Sequence, residues 1–371
     1  MPENKADQDD LKLLRSVARE AGDLALDYFE RASLHTWDKA KGHPVTEADI
    51  AVNRLIRERL MAARPDYGWL SEESKRAEAT LTAKRVWIVD PIDGTRAFMR
   101  GEPYWCIGLG VIERNRPRVG VVFAPSLKEL YHARSGGGAY LNRSRIHVSS
   151  CDQEAGCRLI SNQGMLTHPG WKVPWPKVNL AQPKPNATLL RLCWVASGHF
   201  DAVLTLWRKS DWDLAPGALM VQEAGGLATT HLGETFVFNR SAPAQRSLLA
   251  AGKPLHSLLS ARVEGVNLPD PNGSLPPQEK THLTERPKMH DGAENKQLLH
   301  IVIGGELKDV TDVEFQDLSK LDFVGAFPNY KEAYDAWKGA AQRTVDHAEM
   351  RYFILHAHKL LDPETGDHHH V

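Results

Sequence analysis

The sequence predicts an α/β protein of the layered α+β kind, in which helices stack on sheets without strict βαβ alternation, followed by a smaller α+β unit. Three observations predict it. Two helical patterns come first, a cluster of short strand-like runs follows, and helices and strands then return in mixed order. A Pro-rich polar stretch next precedes a separate strand–strand–helix–strand pattern.

Leu11, Leu14, Val17, Ala18, Ala21, Leu24, Ala25 and Tyr28 recur at helical spacing and predict a helix over 11–29. Thr46-Glu-Ala-Asp49 has the form of a capping box, so a second helix is expected to start after Thr46, to run through Ile50, Val52, Leu55, Ile56 and Leu60, and to end before Pro65. Tyr67–Leu70, Arg85–Val89, Cys106–Ile112, Arg118–Ala124, Leu130–Ala133 and Arg145–Val148 read as strands. Gly136–Tyr140 reads as a turn between short strands. Thr188–Ala196 and Ala215–Ala224 read as helices, the second stopped by Gly225-Gly226, with a strand at Ala202–Leu206. The domains expected are 1–262, a linker over 263–297 carrying five prolines, and 298–371. In the last unit, strands at Leu298–Ile303, Leu321–Phe327 and Arg351–His356 flank a helix at Asn329–Met350.

A chain of 371 residues with 46 basic and 47 acidic residues has a formal net charge of −1. It carries no global basic field for a nucleic-acid polymer. The first ten residues are polar, with no apolar signal segment, and no run approaches the ~20 apolar residues of a membrane helix. The four cysteines form no CxxC pair. Reduced thiols, a cytoplasmic location and no membrane partner are the expectations.

The chemistry concentrates at Asp90-Pro-Ile-Asp-Gly-Thr95, which ends an apolar strand. Two carboxylates three apart across a stiffening proline suit a hard cation, which takes oxygen ligands. Gly94 lets the backbone approach an anion. The same residues also fit an ordinary turn. Glu72-Glu73, after Tyr67–Leu70, and Asp211-Trp-Asp213, before the 215–224 helix, add acids at segment ends. Acids brought together repel one another unless a cation neutralises them.

The segments Pro44-Val-Thr-Glu-Ala-Asp49, Ser71-Glu-Glu-Ser74, Asp90–Thr95 and Trp212-Asp213…Glu223-Ala-Gly-Gly226 resemble, in order and spacing, the motifs of the inositol monophosphatase superfamily. The resemblance covers roughly residues 10–262. It implies an αβαβα sandwich and a Mg²⁺-dependent, lithium-sensitive phosphomonoesterase with two or three Mg²⁺ ions per site. By that resemblance, Glu72, Asp90 and the Ile92 carbonyl match the ligands of one metal, and Asp90, Asp93 and Asp213 those of another. Thr95 matches the hydroxyl that orients the attacking water together with Glu72. Asp49 matches the acid that holds Thr95, and Lys39 a basic residue near the metals. Gly94 and Thr95 are expected to meet the phosphate. Glu73 stands beside the first ligand, and Ser71 replaces the family's glycine.

The substrate expectation comes from finer features. Arg96-Ala-Phe98 and Gly120–Pro125 resemble the 3'(2'),5'-bisphosphate nucleotidase branch. Pro185–Thr188 lacks the Gly-Ser turn, and Leu206–Lys209 lacks the acid, that inositol enzymes use on the ring. Arg191, Arg208 and Lys209 are candidates to meet a second phosphate, or are surface charges. Adenosine 3',5'-bisphosphate therefore ranks first, inositol monophosphate second and other sugar phosphates third. A non-catalytic scaffold that keeps the fold is the alternative class. The partner expected is a small phosphorylated metabolite, with a homodimer as an option.

Residues 298–363 resemble a small bacterial domain of unknown function through Ile303-Gly-Gly-Glu-Leu307, Asp322–Pro328 and Met350–Ile354. Gly304-Gly305 reads as a turn or bulge. His356 and His358 share one strand face and read as ordinary strand residues.

Overall fold

The computed structural model describes residues 2–31, 35–40, 43–75, 77–168, 170–182, 184–264, 266, 300–306, 315–327, 330–343 and 350–355. The chain divides into two compact units, 1–279 and 280–371. The first begins with α1 (Pro2–Phe29), the paired strands β1 (Thr36–Ala40) and β2 (His43–Thr46), and α2 (Glu47–Ala63). A seven-stranded sheet follows: β3 (Gly68–Ser71), β4 (Arg85–Asp93), β5 (Cys106–Glu113), β6 (Arg116–Ala124), β7 (Glu129–Arg134), β8 (Gly138–Leu141) and β9 (Ser144–Ile146), side by side in chain order. The short helix α3 (Thr95–Met99) joins β4 to β5. The remaining elements are β10 (Arg158–Ile160), α4 (Gln163–Leu166), β11 (Asn179–Leu180), α5 (Thr188–Ala196), β12 (Ala202–Thr205), β13 (Lys209–Ser210), α6 (Ala215–Glu223), β14 (Gly226–Thr229), β15 (Ala244–Gln245), β16 (Leu248–Gly252) and α7 (Lys253–Val263). They form a second sheet, ordered β11-β10-β12-β16-β14, and a β13–β15 pair.

Five layers result. One core joins Leu14, Val17 and Ala18 of α1 and Ile56 and Leu60 of α2 to Trp87, Val89 and Ile107 of the large sheet. A second joins Val122 and Tyr131 of that sheet to Leu189 and Leu192 of α5, Ala218 and Leu219 of α6, and Ala250 of the second sheet. A third joins Leu159, Leu204 and Leu249 to Leu255 and Leu259 of α7. The large sheet is covered on both faces, so β4 and β5 are buried along their whole length. That is why their sequences read as unbroken apolar runs and not as alternating ones.

Helix α1 starts nine residues before the predicted Leu11. Asp7 and Asp10, which belong to the polar leader in the sequence, are 1% and 0% exposed. Arg85 at the start of β4 donates to Asp10 at 2.7 Å and pairs with Asp7, while Arg118 donates to Asp7 at 2.8 Å and the Tyr67 hydroxyl to Asp10 at 2.9 Å. These long-range partners hold the helix's first turns. At the sheet's far edge, Gly138–Leu141 is a strand where the sequence predicts part of a turn, and β9 stops at Ile146, two residues short of prediction. Helix α7 runs one residue into the expected linker, whose residues other than 263, 264 and 266 lie outside the described ones. All four cysteines are free.

The second unit has β17 (His300–Glu306) between β18 (Asp322–Phe327) and β19 (Met350–Leu355), with α8 (Tyr330–Arg343). Two expectations are corrected here. Gly304 and Gly305 lie within β17, and the bulge falls one step earlier, between Val302 and Ile303. Gly304 pairs with Tyr352, whose ring occupies the space a Cβ would need. Met350 belongs to a strand and not to the preceding helix. His356, His358 and the expected strand start at Leu298 lie outside the described residues.

Candidate active site

Carboxylates from three places converge where β3 and β4 end. Oxygens of Glu72, Asp90 and Asp213 lie within 4.8 Å of one another. Asp90 and Asp93 flank an irregularity in β4: Asp90 pairs with Gly108 and Asp93 with Cys106, so the strand gains a residue over its partner. Regular pleating sends residues three apart to opposite faces, and the bulge overrides that parity. A side chain at Gly108 would collide with Leu189, so the glycine lets α5 close on this strand. The Asp93 carboxylate then accepts the Leu189 N–H at 2.5 Å and also the Thr188 N–H, at the positive end of α5. Asp213 accepts the Ser210 N–H at 3.0 Å. Asp90 is 1% exposed, and its Oδ1 is buried with no hydrogen-bond partner.

These acids resist ionisation in the metal-free chain. Burial, then the charges of Glu72, Asp93, Asp213 and Asp49, push Asp90 well above the usual carboxylate range. Burial and Asp213 push Asp93 up to about 7, against the two α5 N–H groups and Lys209. Burial and Glu72 push Asp213 up to about 6, against Lys209, the Ser210 N–H and Arg191. Crowded carboxylates with a buried, unpartnered oxygen suit a hard divalent cation.

Helix α2 supplies the other wall. Thr46 caps it, and Asp49 closes the predicted box by accepting the Thr46 N–H at 2.8 Å and hydroxyl at 2.6 Å. The second Asp49 oxygen lies 3.3 Å from the Thr95 hydroxyl, which is also 3.2 Å from the Ile92 carbonyl. One carboxylate therefore caps a helix and holds Thr95. Gly94 has φ 97°, and a Cβ there would sit 3.0 Å from the Tyr104 carbonyl, so only glycine fits without strain.

One turn along α2, Asn53 bridges the Glu72 loop. Its Oδ1 accepts the Ser71 hydroxyl at 2.7 Å, and its Nδ2 donates to Ser74 at 3.1 Å. The Glu73 N–H donates to Ser71 at 3.3 Å, and the Glu72 N–H to Val89 at 3.2 Å. Ser71, the departure from the family's glycine, thus has a structural task. Sequence reasoning missed Asn53, although its i+4 spacing from Asp49 puts both on one helix face.

The other sequence candidates divide. Lys209 is half-buried, and its charge favours the ionised forms of Asp213 and Asp93. Arg96 and Arg208 are exposed. Arg191 donates to the carbonyls of Pro185 at 2.6 Å and Asn186 at 3.1 Å, so it staples the loop before α5. Asp211 does not join the acids: it accepts the Asn239 N–H at 2.7 Å and the Gln245 side chain at 2.8 Å. Lys39 lies on β1, and its side chain is outside the described residues.

Five layers with clustered carboxylates where two strands end make a fold with a site suited to a divalent cation. The chain belongs to the inositol monophosphatase family, whose model matches residues 7–267, and a domain of unknown function (DUF4170) matches 298–357. An inositol-1-monophosphatase of Rhizobium meliloti is 37% identical over 58% of this chain and 83% of its own. A histidinol-phosphatase of Chlorobaculum parvum is 34% identical over 62% and 89%. The solved inositol monophosphatase of Thermotoga maritima superposes with a TM-score of 0.58 at 28% identity, over 70% and 98%. The chain is thus a phosphatase-family member with the expected αβαβα sandwich.

Proposed function

We propose that this chain hydrolyses a small phosphate monoester with Mg²⁺, and that its substrate is the phosphate of a polar alcohol of the inositol 1-phosphate or histidinol phosphate kind. The convergence of Glu72, Asp90 and Asp213 within 4.8 Å carries the reading. Asp93 and the Ile92 carbonyl complete the proposed ligand set. A divalent cation bound there supplies an acidic water and neutralises phosphate charge. The Thr95 hydroxyl donates its single proton to Asp49 or Ile92, which leaves its lone pairs to accept from the attacking water. Glu72 accepts from the same water. Phosphoryl transfer needs this placement more than it needs a covalent nucleophile. Gly94, at φ 97° and packed against the Tyr104 carbonyl, forms the turn that presents Thr95.

Adenosine 3',5'-bisphosphate is the second reading. The charge that Lys209 exerts on Asp213 favours it, as do the exposed Arg208, next to Lys209 in sequence, and Arg96, next to Thr95. Arg191 no longer supports it, because its guanidinium is bonded to loop carbonyls. Among the described residues no helix is long and apolar enough to cross a membrane.

Phosphate release from inositol 1-phosphate, histidinol phosphate and adenosine 3',5'-bisphosphate, with Mg²⁺ and then with added Li⁺, tests the proposal. Mg²⁺-dependent, Li⁺-inhibited release from either alcohol phosphate supports it. Preference for the bisphosphate favours the second reading. No release from any of the three, with cation binding intact, favours the scaffold alternative.

A further inference from the structure

Asp90 and Asp93 lie within β4, which is buried along its length and paired to β5. Glu72 stands one residue past the end of β3. The β3–β4 ladder ends at the Ser71–Val89 pair, and the Glu72 N–H bond to the Val89 carbonyl extends it by one residue. The chain then turns away from the sheet at 72–73. A side chain that binds a cation has to be held to within about 0.5 Å, and elements of the scaffold hold it better than turns do.

Asn53 spans this turn from α2. It accepts the Ser71 hydroxyl on one side of Glu72 at 2.7 Å and donates to the Ser74 hydroxyl on the other at 3.1 Å. The Ser71 hydroxyl itself accepts the Glu73 N–H at 3.3 Å. Asn53 is 8% exposed and Ser71 2%, so water competes little for these bonds. Their base is rigid, because Ala48, Val52, Ile56 and Leu60 of α2 are fully buried. The Asn53 amide meets the two serines, and Glu72 is reached through them. One turn earlier on the same helix, Asp49 holds Thr95.

We infer that Asn53 is a positioning residue that sets the cation affinity of the acid cluster, acting on Glu72 by way of Ser71 and Ser74. Helix α2 then divides the work within one turn. Asp49 serves the attacking water through Thr95, and Asn53 serves the cation through the 71–74 turn. The inference rests on the proposed reading of the acids as a cation site and is independent of which ester is cleaved.

The probe is Mn²⁺, which takes the same oxygen ligands as Mg²⁺. Its binding to the full chain without substrate is read from the EPR signal of the free ion, and Mg²⁺ affinity by competition. Asn53→Ala is expected to raise both dissociation constants by about tenfold or more, as loss of the hydrogen bonds behind a ligand does. Ser71→Ala is expected to raise them too, and the double variant to fall short of the product of the two effects, since both act through one bond. Where Asn53→Ala does not fold, Ser71→Ala carries the comparison. Arg85→Leu, which destabilises the same unit from the opposite end of β4, is expected to leave the affinity within about twofold of wild type. In turnover, Asn53→Ala is expected to raise the Mg²⁺ concentration for half-maximal rate about tenfold, while kcat at saturating Mg²⁺ falls by less than that. Unchanged affinity in a folded Asn53→Ala, or an equal loss in Arg85→Leu, overturns the inference and leaves the hydrolase reading standing. A loss confined to the Asn53 and Ser71 variants, in a chain that releases phosphate from none of the three esters, keeps the inference and removes the hydrolase reading. A wild type that binds no Mn²⁺ removes both.

Discussion

At Asp90, burial and four neighbouring acids all disfavour the charged carboxylate. Asp90→Asn therefore removes a repulsion as well as a proposed ligand. The metal-free variant is expected to melt at or a few degrees above wild type, roughly 1 kcal/mol in its favour, while Mg²⁺ no longer raises its Tm and kcat falls by about 10³-fold or more. Melting curves with and without Mg²⁺ read the first effect and phosphate release the second. A destabilised variant with normal turnover would contradict both. Single residues were unequally legible. Asp90 and Asp93 by their spacing fit an ordinary turn as well as a cation site, and the other acids at segment ends and the family resemblance single them out. Asp211 and Asp213 look alike in sequence, yet Asp211 is bonded to Asn239 and Gln245.

Helix α2 separates stability from chemistry within one turn. Thr46→Ala removes the cap and is expected to cost about 1 kcal/mol, while Asp49 keeps its contact with Thr95. Asp49→Ala is expected to cost a similar amount and also to lower kcat by about 100-fold, since Thr95 loses its holder. Urea melts and kcat for the two variants distinguish the tasks, and equal losses of activity would refute the division. This helix was readable because its cap lies within four residues of sequence. Helix α5 was also readable, its apolar face being continuous. The start of α1 was not, because Asp7 and Asp10 find their partner Arg85 more than seventy residues away. Gly304 misled for a related reason: a glycine beneath a cross-strand ring and a glycine in a turn look the same in one dimension.

For the whole molecule, acids raised toward 6 and 7 make stability depend on pH and cation. Between an unfolded value near 4 and these folded values, the native metal-free chain binds more protons than the unfolded one. Its stability therefore falls as pH rises through that window. A divalent cation offsets the repulsion, so the Mg²⁺-induced rise in Tm is expected to be larger at about pH 8 than at about pH 5. Equal shifts at both would contradict the cluster's role as a cation site. Far from that cluster, Arg85→Leu leaves Asp7 and Asp10 buried without their shared cation. It is expected to destabilise the first unit by about 3–5 kcal/mol, measurable by urea unfolding. A layered arrangement of helices and sheets followed from the element sequence and the αβαβα order from the family resemblance, but the meeting of β3, β4 and α6 at one point depended on strand neighbours that no local pattern encodes.

The double grip of α2, with Asp49 on Thr95 and Asn53 on the Glu72 loop, bears on engineering. Transplanting residues 90–95 onto another strand would carry two acids and a hydroxyl without the ruler that spaces them from Glu72. A portable version of this centre must include residues 46–53 and 71–95 as one block, together with the 210–213 turn that brings Asp213 to it. Libraries that vary α2 will change both walls of the site together.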